Sequence, residues 1–184
     1  MEKKNNFQEN FAPAIVLVCI CLVMTFALAM TYKVANPVIQ ANAAKSANEA
    51  RMEVLPDGDS FTQYDGKLVE GVTEAYMADN KAGMAVTAQY KGFGGAVTVM
   101  VGINANGEIT GVKVTEHAET PGLGTKAADP GYLKQYQGVT EAPQGHIRDD
   151  ANINAVSGAT ITSNAVYNSV REALAQYQEC GGVK

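Results

Sequence analysis

The segment Ser157-Gly158-Ala159-Thr160 places hydroxyl groups directly before a stretch with the apolar spacing of a helix. Val166, Val170 and Leu174 recur at that spacing, and Gly181 supplies a stop signal. The first turn of a helix carries unpaired backbone N–H groups and the positive end of the helix dipole, so it stabilises a phosphate without any lysine. Spacing alone favours a simpler interpretation, an ordinary Ser or Thr N-cap.

A second segment, residues 119–126, is rich in glycine and could lie against a flat ring. Its glycines permit close approach of the backbone, Leu123 offers an apolar face, and Thr120 and Thr125 offer hydroxyl groups. Taken alone, its Pro-Gly-Leu-Gly sequence also describes a tight surface turn.

Two catalytic alternatives have weaker support. Residues 122–127 match the dinucleotide pattern G-x-G-x-x-A, but Asp129-Pro130-Gly131 leaves no room for the long helix that receives the pyrophosphate. A serine hydrolase would need Ser157 or Ser163 beside a histidine, and neither serine occurs in a G-x-S-x-G turn.

The two segments together resemble the FMN-binding domain family, which occurs in the G subunit of the Rnf complex and the C subunit of the sodium-pumping quinone reductase. Residues 157–163 are similar to the family's S-G-A-T-x-T-S segment, and residues 117–124 are similar to its h-x-E-T-P-G-L-G loop. Both occur in family order, and the resemblance runs from about residue 92 to residue 170. It implies that a flavin transferase esterifies the phosphate of FMN to Thr160.

The same resemblance implies two groups of residues around the cofactor. Those expected beside the phosphate are Ser157, Gly158, Ala159, Thr162 and Ser163, and those expected against the flavin are Glu119, Thr120, Leu123, Gly124 and Thr125. One position departs from the family pattern, because Asn154 stands where an aspartate is common, six residues before Thr160. Asparagine keeps the shape and one acceptor oxygen but loses the charge, so a positioning role survives where a metal-binding role does not.

An uncharged apolar segment near the N-terminus predicts a membrane anchor. Residues 11–32 contain no charged side chain, and at ~1.5 Å per residue they span about 33 Å, enough for the hydrocarbon core. A cleaved signal peptide is the alternative, but its apolar core runs only ~7 to 15 residues. Lys3 and Lys4 favour a cytoplasmic N-terminus over residues 1–10, which leaves the folded part on the extracytoplasmic side.

The remainder of the chain has the composition of one acidic domain. From residue 34 onward, 11 basic and 17 acidic residues leave a net charge of −6 without a basic cluster, which argues against nucleic-acid binding. Asn36-Pro37 predicts the start of a juxtamembrane helix within residues 33–56, and Pro56 follows its expected end. Residues 57–184 then form one compact domain. The spacing of the three cysteines fits no iron–sulfur or zinc site.

Short strand signals between two helical regions predict an α+β fold with a twisted antiparallel sheet. Strands are expected at residues 61–64, 67–77, 84–90, 95–104 and 108–118, with turns at Asp65-Gly66 and Asn106-Gly107. A short helix is expected over residues 132–137, followed by loop or edge strand over residues 138–154.

Together these features predict a membrane-anchored electron-transfer subunit with covalent FMN, in an Rnf-type complex that couples electron flow between ferredoxin and NAD to ion translocation. The resemblance implies partner subunits A, B, C, D and E, and no substrate turnover by this chain alone. Two alternatives stay open. One is the C subunit of a sodium-translocating NADH:quinone reductase, which is usually longer, and the other is a membrane-tethered structural or assembly protein without flavin.

Overall fold

The computed structural model describes residues 6–141 and 145–182, with side chains from residue 13 onward. The chain divides into two compact units, residues 1–46 and residues 47–184. The domain limits expected from the sequence stay predictions, and residues 47–54 belong to the second unit.

Helix α1 (Asn6–Val54) contains the predicted membrane span. Its stretch Pro13–Val54 is long and apolar enough to cross a membrane, with a mean hydropathy of 2.7 in its most apolar window and none of that window buried. The helix ends before Pro56, as predicted, but the predicted helix start at Asn36-Pro37 is wrong because α1 continues through Pro37. Proline fixes a helix-compatible φ and removes the N–H of one residue, and the alanine-rich sequence that follows favours helix.

Five antiparallel strands form one sheet in the order in which they occur along the chain. They are β1 (Phe61–Gln63), β2 (Val72–Ala78), β3 (Gly83–Lys91), β4 (Ala96–Asn104) and β5 (Ile109–His117). The predicted turn between β4 and β5 is confirmed, since Gly107 has φ +84° and donates its N–H to the carbonyl of Asn104 at 3.0 Å. The predicted α+β class is confirmed as well.

The chain after β5 forms short helical turns and one long helix. A 3₁₀ turn at Gly124–Ala128 precedes helix α2 (Pro130–Leu133), and a second 3₁₀ turn covers Lys134–Tyr136, so the helix predicted over residues 132–137 is divided into two pieces. A third 3₁₀ turn covers Ile147–Asp149, and the described residues between 138 and 154 are otherwise loop. Helix α3 (Thr160–Glu179) follows and begins where the sequence predicts a helix start, within a few residues of Thr160.

One face of the sheet packs against α3. Val166, Val170 and Leu174 of the helix are buried together with Val86 of β3 and Val99 of β4. The three helix residues are the apolar positions whose spacing predicted α3. The sequence pattern therefore identifies the face of the helix that packs on the sheet.

The opposite face of the sheet packs against the last turns of α1. Val54 is buried in a cluster with Ala85 and Met100, which alternate in direction with the residues that face α3. Gly102 and Gly111 are paired across β4 and β5, and a Cβ at Gly111 would lie 3.0 Å from the Cα of Val54. The two glycines therefore permit the backbone of α1 to approach the sheet closely.

The connection between β1 and β2 corrects two predictions. Strand β2 starts at Val72 and not at Lys67, and Asp65-Gly66 lies within the longer connection 64–71 and not in a two-residue hairpin turn. Gln176 of α3 accepts the N–H of Val69 at 2.7 Å and donates to the carbonyl of Lys67 at 3.2 Å. Because a side chain satisfies these backbone groups, this segment needs no strand partner.

Candidate cofactor site

Helix α3 begins at Thr160 without a side-chain cap. Its N-cap residue is Ala159, and the N–H of Ser163 donates to the carbonyl of Ala159 at 2.9 Å as the helical bonding begins. The N–H groups of Thr160, Ile161 and Thr162 precede this bond, so they are available to an anion. The ordinary Ser or Thr cap considered from the sequence does not form among the described residues.

Ser163 supports the turn that leads into α3. Its Oγ accepts the N–H of Val156 at 2.9 Å, and the residue is fully buried. Gly158 has φ +81°, a conformation that residues with a side chain rarely adopt. The sequence motif thus divides into residues that shape the turn and residues that face outward at the start of the helix.

A pocket of about 390 Å³ opens beside the first turn of α3. Its walls come from the start of α3, the loop after β5, the turn between β3 and β4, and the 3₁₀ turn at Ile147–Asp149. The lining residues are Phe93, Glu119, Thr120, Leu123, Gly124, Arg148, Gly158, Ala159, Thr160, Ile161 and Thr162. The volume lies within the range of about 300 to 1,000 Å³ that is common for small-molecule sites.

The pocket contains most, but not all, of the residues expected at the site. The two sequence segments meet there, although residues 119 and 160 lie far apart in the chain. Ser157, Ser163 and Thr125 are not among the lining residues. The Oγ1 of Thr125 accepts the N–H of Gly122 at 2.9 Å, so it stabilises the loop from within.

Arg148 is a lining residue that no sequence motif selects. Its Nη2 donates a hydrogen bond to Oγ1 of Thr160 at 3.2 Å, which places a permanent positive charge beside that hydroxyl. It lies 12 residues before Thr160, in a segment predicted only as loop or edge strand, and the residues around it have no pattern typical of a phosphate site.

Contacts with α3 hold the turn that carries Arg148. The N–H of Ile147 donates to Oδ1 of Asn164 at 2.9 Å, and the hydroxyl of Tyr167 donates to Oδ2 of Asp150 at 3.0 Å. Burial, together with the hydrogen bond to Asp150, raises the pKa of Tyr167 to about 12. The phenol therefore remains a neutral donor at physiological pH.

Glu119 connects two walls of the pocket. Its Oε1 accepts the N–H of Gly94 in the β3–β4 turn at 3.2 Å, and the residue is only 7% exposed. A Cβ at Gly124 would lie 2.6 Å from Oε2 of Glu119, so the carboxylate occupies space that glycine leaves open. The loop that follows turns tightly, since the carbonyl of Thr120 accepts the N–H of Gly124 at 3.1 Å.

The pocket has a polar end and an apolar rim. Arg148, Thr160 and the helix start supply positive charge and N–H donors, whereas Phe93, Leu123 and Ile161 are exposed apolar side chains. Such a division suits a ligand with a phosphate at one end and a flat, largely apolar ring at the other.

The geometry supports a dinucleotide site, a serine hydrolase or a metal site less well than a site for a ligand with a phosphate and a ring. The segment after Gly124 forms a five-residue 3₁₀ turn and the four-residue helix α2, which is too short to receive a dinucleotide. Nδ1 of His146 accepts the N–H of Arg148, and Ser163 is buried, so these two do not form a hydrolase pair. Among the described residues, no group of three His, Cys, Asp or Glu converges on a metal position.

Comparisons with known proteins identify the family of the chain. Residues 92–175 match the family described as FMN-binding domain. The chain is 31% identical to the G subunit of the Na(+)-translocating ferredoxin:NAD(+) oxidoreductase complex of Acetobacterium woodii, over 97% of this chain and 98% of that protein. It is 28% identical to the proton-translocating counterpart of Clostridium ljungdahlii over all of both chains. It is 29% identical to the G subunit of the ion-translocating oxidoreductase complex of Methanosarcina acetivorans, over 87% of this chain and 90% of that protein.

Proposed function

We propose that this chain, which belongs to the family of G subunits of ion-translocating ferredoxin:NAD(+) oxidoreductase complexes, relays electrons through an FMN esterified to Thr160. It is a redox subunit of a multi-subunit complex, and its FMN-binding domain contains the described pocket. The covalent link is the part of this proposal that requires a direct test.

The observation that carries the proposal is the environment of Oγ1 of Thr160. This oxygen lies at the pocket wall, accepts a hydrogen bond from Arg148, and belongs to the first residue of α3. An ester between this oxygen and a flavin phosphate would retain one negative charge. The guanidinium and the backbone N–H groups of the first turn match that charge.

The residues present fit FMN at both of its ends. Arg148 and the N–H groups of residues 160–162 would hold the phosphate, while Leu123 and Ile161 would contact less polar parts. FMN supplies the redox chemistry when bound, because it accepts and releases electrons singly or in pairs. The protein would hold the phosphate at the polar end of the pocket and position the ring beside the apolar rim.

Location and partners form the second part of the proposal. Residues 11–32 anchor the chain in the cytoplasmic membrane, with Lys3 and Lys4 inside and the FMN domain on the extracytoplasmic side. Subunits A, B, C, D and E complete the complex, and ferredoxin and NAD are its terminal redox partners. A flavin transferase forms the ester on the folded domain.

Mass analysis of the tryptic peptide 149–171 tests the link directly. We expect the mass of one FMN, less one water, on Thr160 in protein from a host that contains the transferase. Thr160→Ala should abolish the flavin that survives denaturation, and Thr160→Ser should reduce it, because serine has the oxygen but not the methyl group that restricts the rotamer. Thr162→Ala is the matched control and should retain the link. FMN found on Ser157 or Thr162 would contradict the assignment.

A further inference from the structure

Beyond helix α1, the large apolar side chains that are exposed in the described part of the chain lie at one place. Apart from residues of α1, the exposed members of this class are Phe93 (73% exposed), Ile161 (55%) and Leu123 (44%). All three line the pocket beside Thr160. They come from three separate segments, so their convergence is a property of the fold and not of one local sequence.

Phe93 lies at the tip of the β3–β4 hairpin. Pairing of the two strands ends at Lys91 and Ala96, and the N–H of Gly92 donates to the carbonyl of Gly95 at 2.7 Å to close the turn. The tip is otherwise glycine, so Phe93 is the one large side chain that it carries.

Glu119 fixes this tip beside the pocket. Its carboxylate accepts a hydrogen bond from the N–H of Gly94, and this bond joins the hairpin to the loop that carries Leu123. A Cβ at Gly94 would collide with the carbonyl oxygen of Ala118, so the hairpin approaches this loop closely only because glycine occupies that position. The buried carboxylate thus positions an exposed aromatic ring.

We infer that Phe93 covers the flavin ring of the FMN carried on Thr160, and that Glu119 positions it there. The inference rests on the proposed function, because it assigns a contact within that site. An exposed phenyl ring gains from leaving water, and aromatic rings pack favourably on one another in offset or edge geometry. In the proposed function the phosphate takes the polar end of the pocket, which leaves the apolar rim for the ring.

A tryptophan substitution tests this contact through fluorescence. In full-length chain co-expressed with the transferase, Phe93→Trp should retain covalent flavin but lose most of its flavin fluorescence. An indole in contact with an excited flavin transfers an electron to it and recovers that electron without emission. Met52→Trp is the matched control, because Met52 is 46% exposed and does not line the pocket. Its flavin should fluoresce like that of the wild type.

Removal of the phenyl ring of Phe93 provides a second, independent measurement of the contact. Phe93→Ala should raise the constant for quenching of flavin fluorescence by iodide about twofold, because one aromatic cover is lost. Glu119→Ala should raise it in the same direction if the carboxylate positions the hairpin.

Three outcomes would count against the proposals, and they can be told apart. Wild-type chain without covalent flavin would overturn the proposed function and this inference with it. Fully flavinylated Phe93→Trp with wild-type fluorescence would overturn the contact alone. Wild-type flavin fluorescence in Phe93→Trp and wild-type iodide quenching in Phe93→Ala, combined with slower electron exchange between these variants and the partner subunits, would assign Phe93 to docking of those subunits instead.

Discussion

The guanidinium of Arg148 donates a hydrogen bond to the hydroxyl oxygen of Thr160 at 3.2 Å, although the two residues belong to different elements. Arg148 comes from the 3₁₀ turn Ile147–Asp149, and Thr160 is the first residue of α3. The bond places a cation where a phosphoester would form, and it favours loss of the hydroxyl proton during attack on a phosphate.

We predict that Arg148→Ala slows flavin attachment by about tenfold to a hundredfold, the equivalent of one charge-assisted hydrogen bond. Arg148→Lys should be intermediate, because it keeps the charge but not the planar fork. The measurement is a time course of covalent flavin fluorescence after denaturing electrophoresis. Arg171→Ala is the control, since Arg171 bonds to Glu172 and the carbonyl of Gly145. Equal rates in Arg148→Ala and the wild type would remove Arg148 from the attachment step.

We predict that Glu119→Ala lowers the free energy of unfolding by about 1 kcal/mol, because the hydrogen bond from the N–H of Gly94 to the buried carboxylate is lost. Glu119→Gln should lower it less, since an amide oxygen can still accept that bond. Urea denaturation of the purified chain measures both. Covalent flavin should be present in both variants, and loss of the label from folded protein would indicate that the loop is read by the transferase.

Tyr167 gives a prediction for alkaline pH. Burial raises its pKa from the ordinary value near 10 to about 12, with a further contribution from Asp150. Between pH 10 and about 12, the folded chain keeps the phenolic proton of Tyr167 and the unfolded chain loses it. The contribution of this group to folding stability is therefore complete below pH 10 and disappears as pH rises towards 12.

Tyr167→Phe should be less stable at neutral pH by about 1 kcal/mol, because the bond to Asp150 is lost. Its stability should also fall less steeply than that of the wild type between pH 10 and about 12, because phenylalanine does not ionise. Urea titrations at a series of pH values compare the two chains. Parallel stability curves would show that Tyr167 does not contribute to the alkaline transition.

The membrane orientation is open to a protease test in whole cells. We predict that protease added to spheroplasts digests the domain after residue 46, because Lys3 and Lys4 keep the N-terminus inside. A cytoplasmic marker protein serves as the control and should remain intact. Equal protection of the domain and the marker would reverse the topology.

The residues of the site differ in how far they could be predicted. Thr160 and Glu119 belong to contiguous motifs that the resemblance to the FMN-binding domain family selects, whereas spacing alone favours a helix cap and a surface turn. Arg148 and Phe93 reach the pocket only through tertiary packing, and the chain around them has no pattern specific to a phosphate or a ring. The wrong start of β2 has a similar cause, because Gln176 satisfies backbone groups of Lys67 and Val69 from 109 and 107 positions away.

The close approach of α1 to the sheet limits how the domain can be truncated. A fragment that begins at residue 57 lacks Val54 and leaves Ala85 and Met100 uncovered, and an uncovered apolar sheet face promotes aggregation. The paired Gly102 and Gly111 would then have no backbone to accommodate and would weaken the two strands that carry them. A soluble version of the flavin domain should therefore begin at or before Ala47 and retain the last turns of the anchor helix as part of its core.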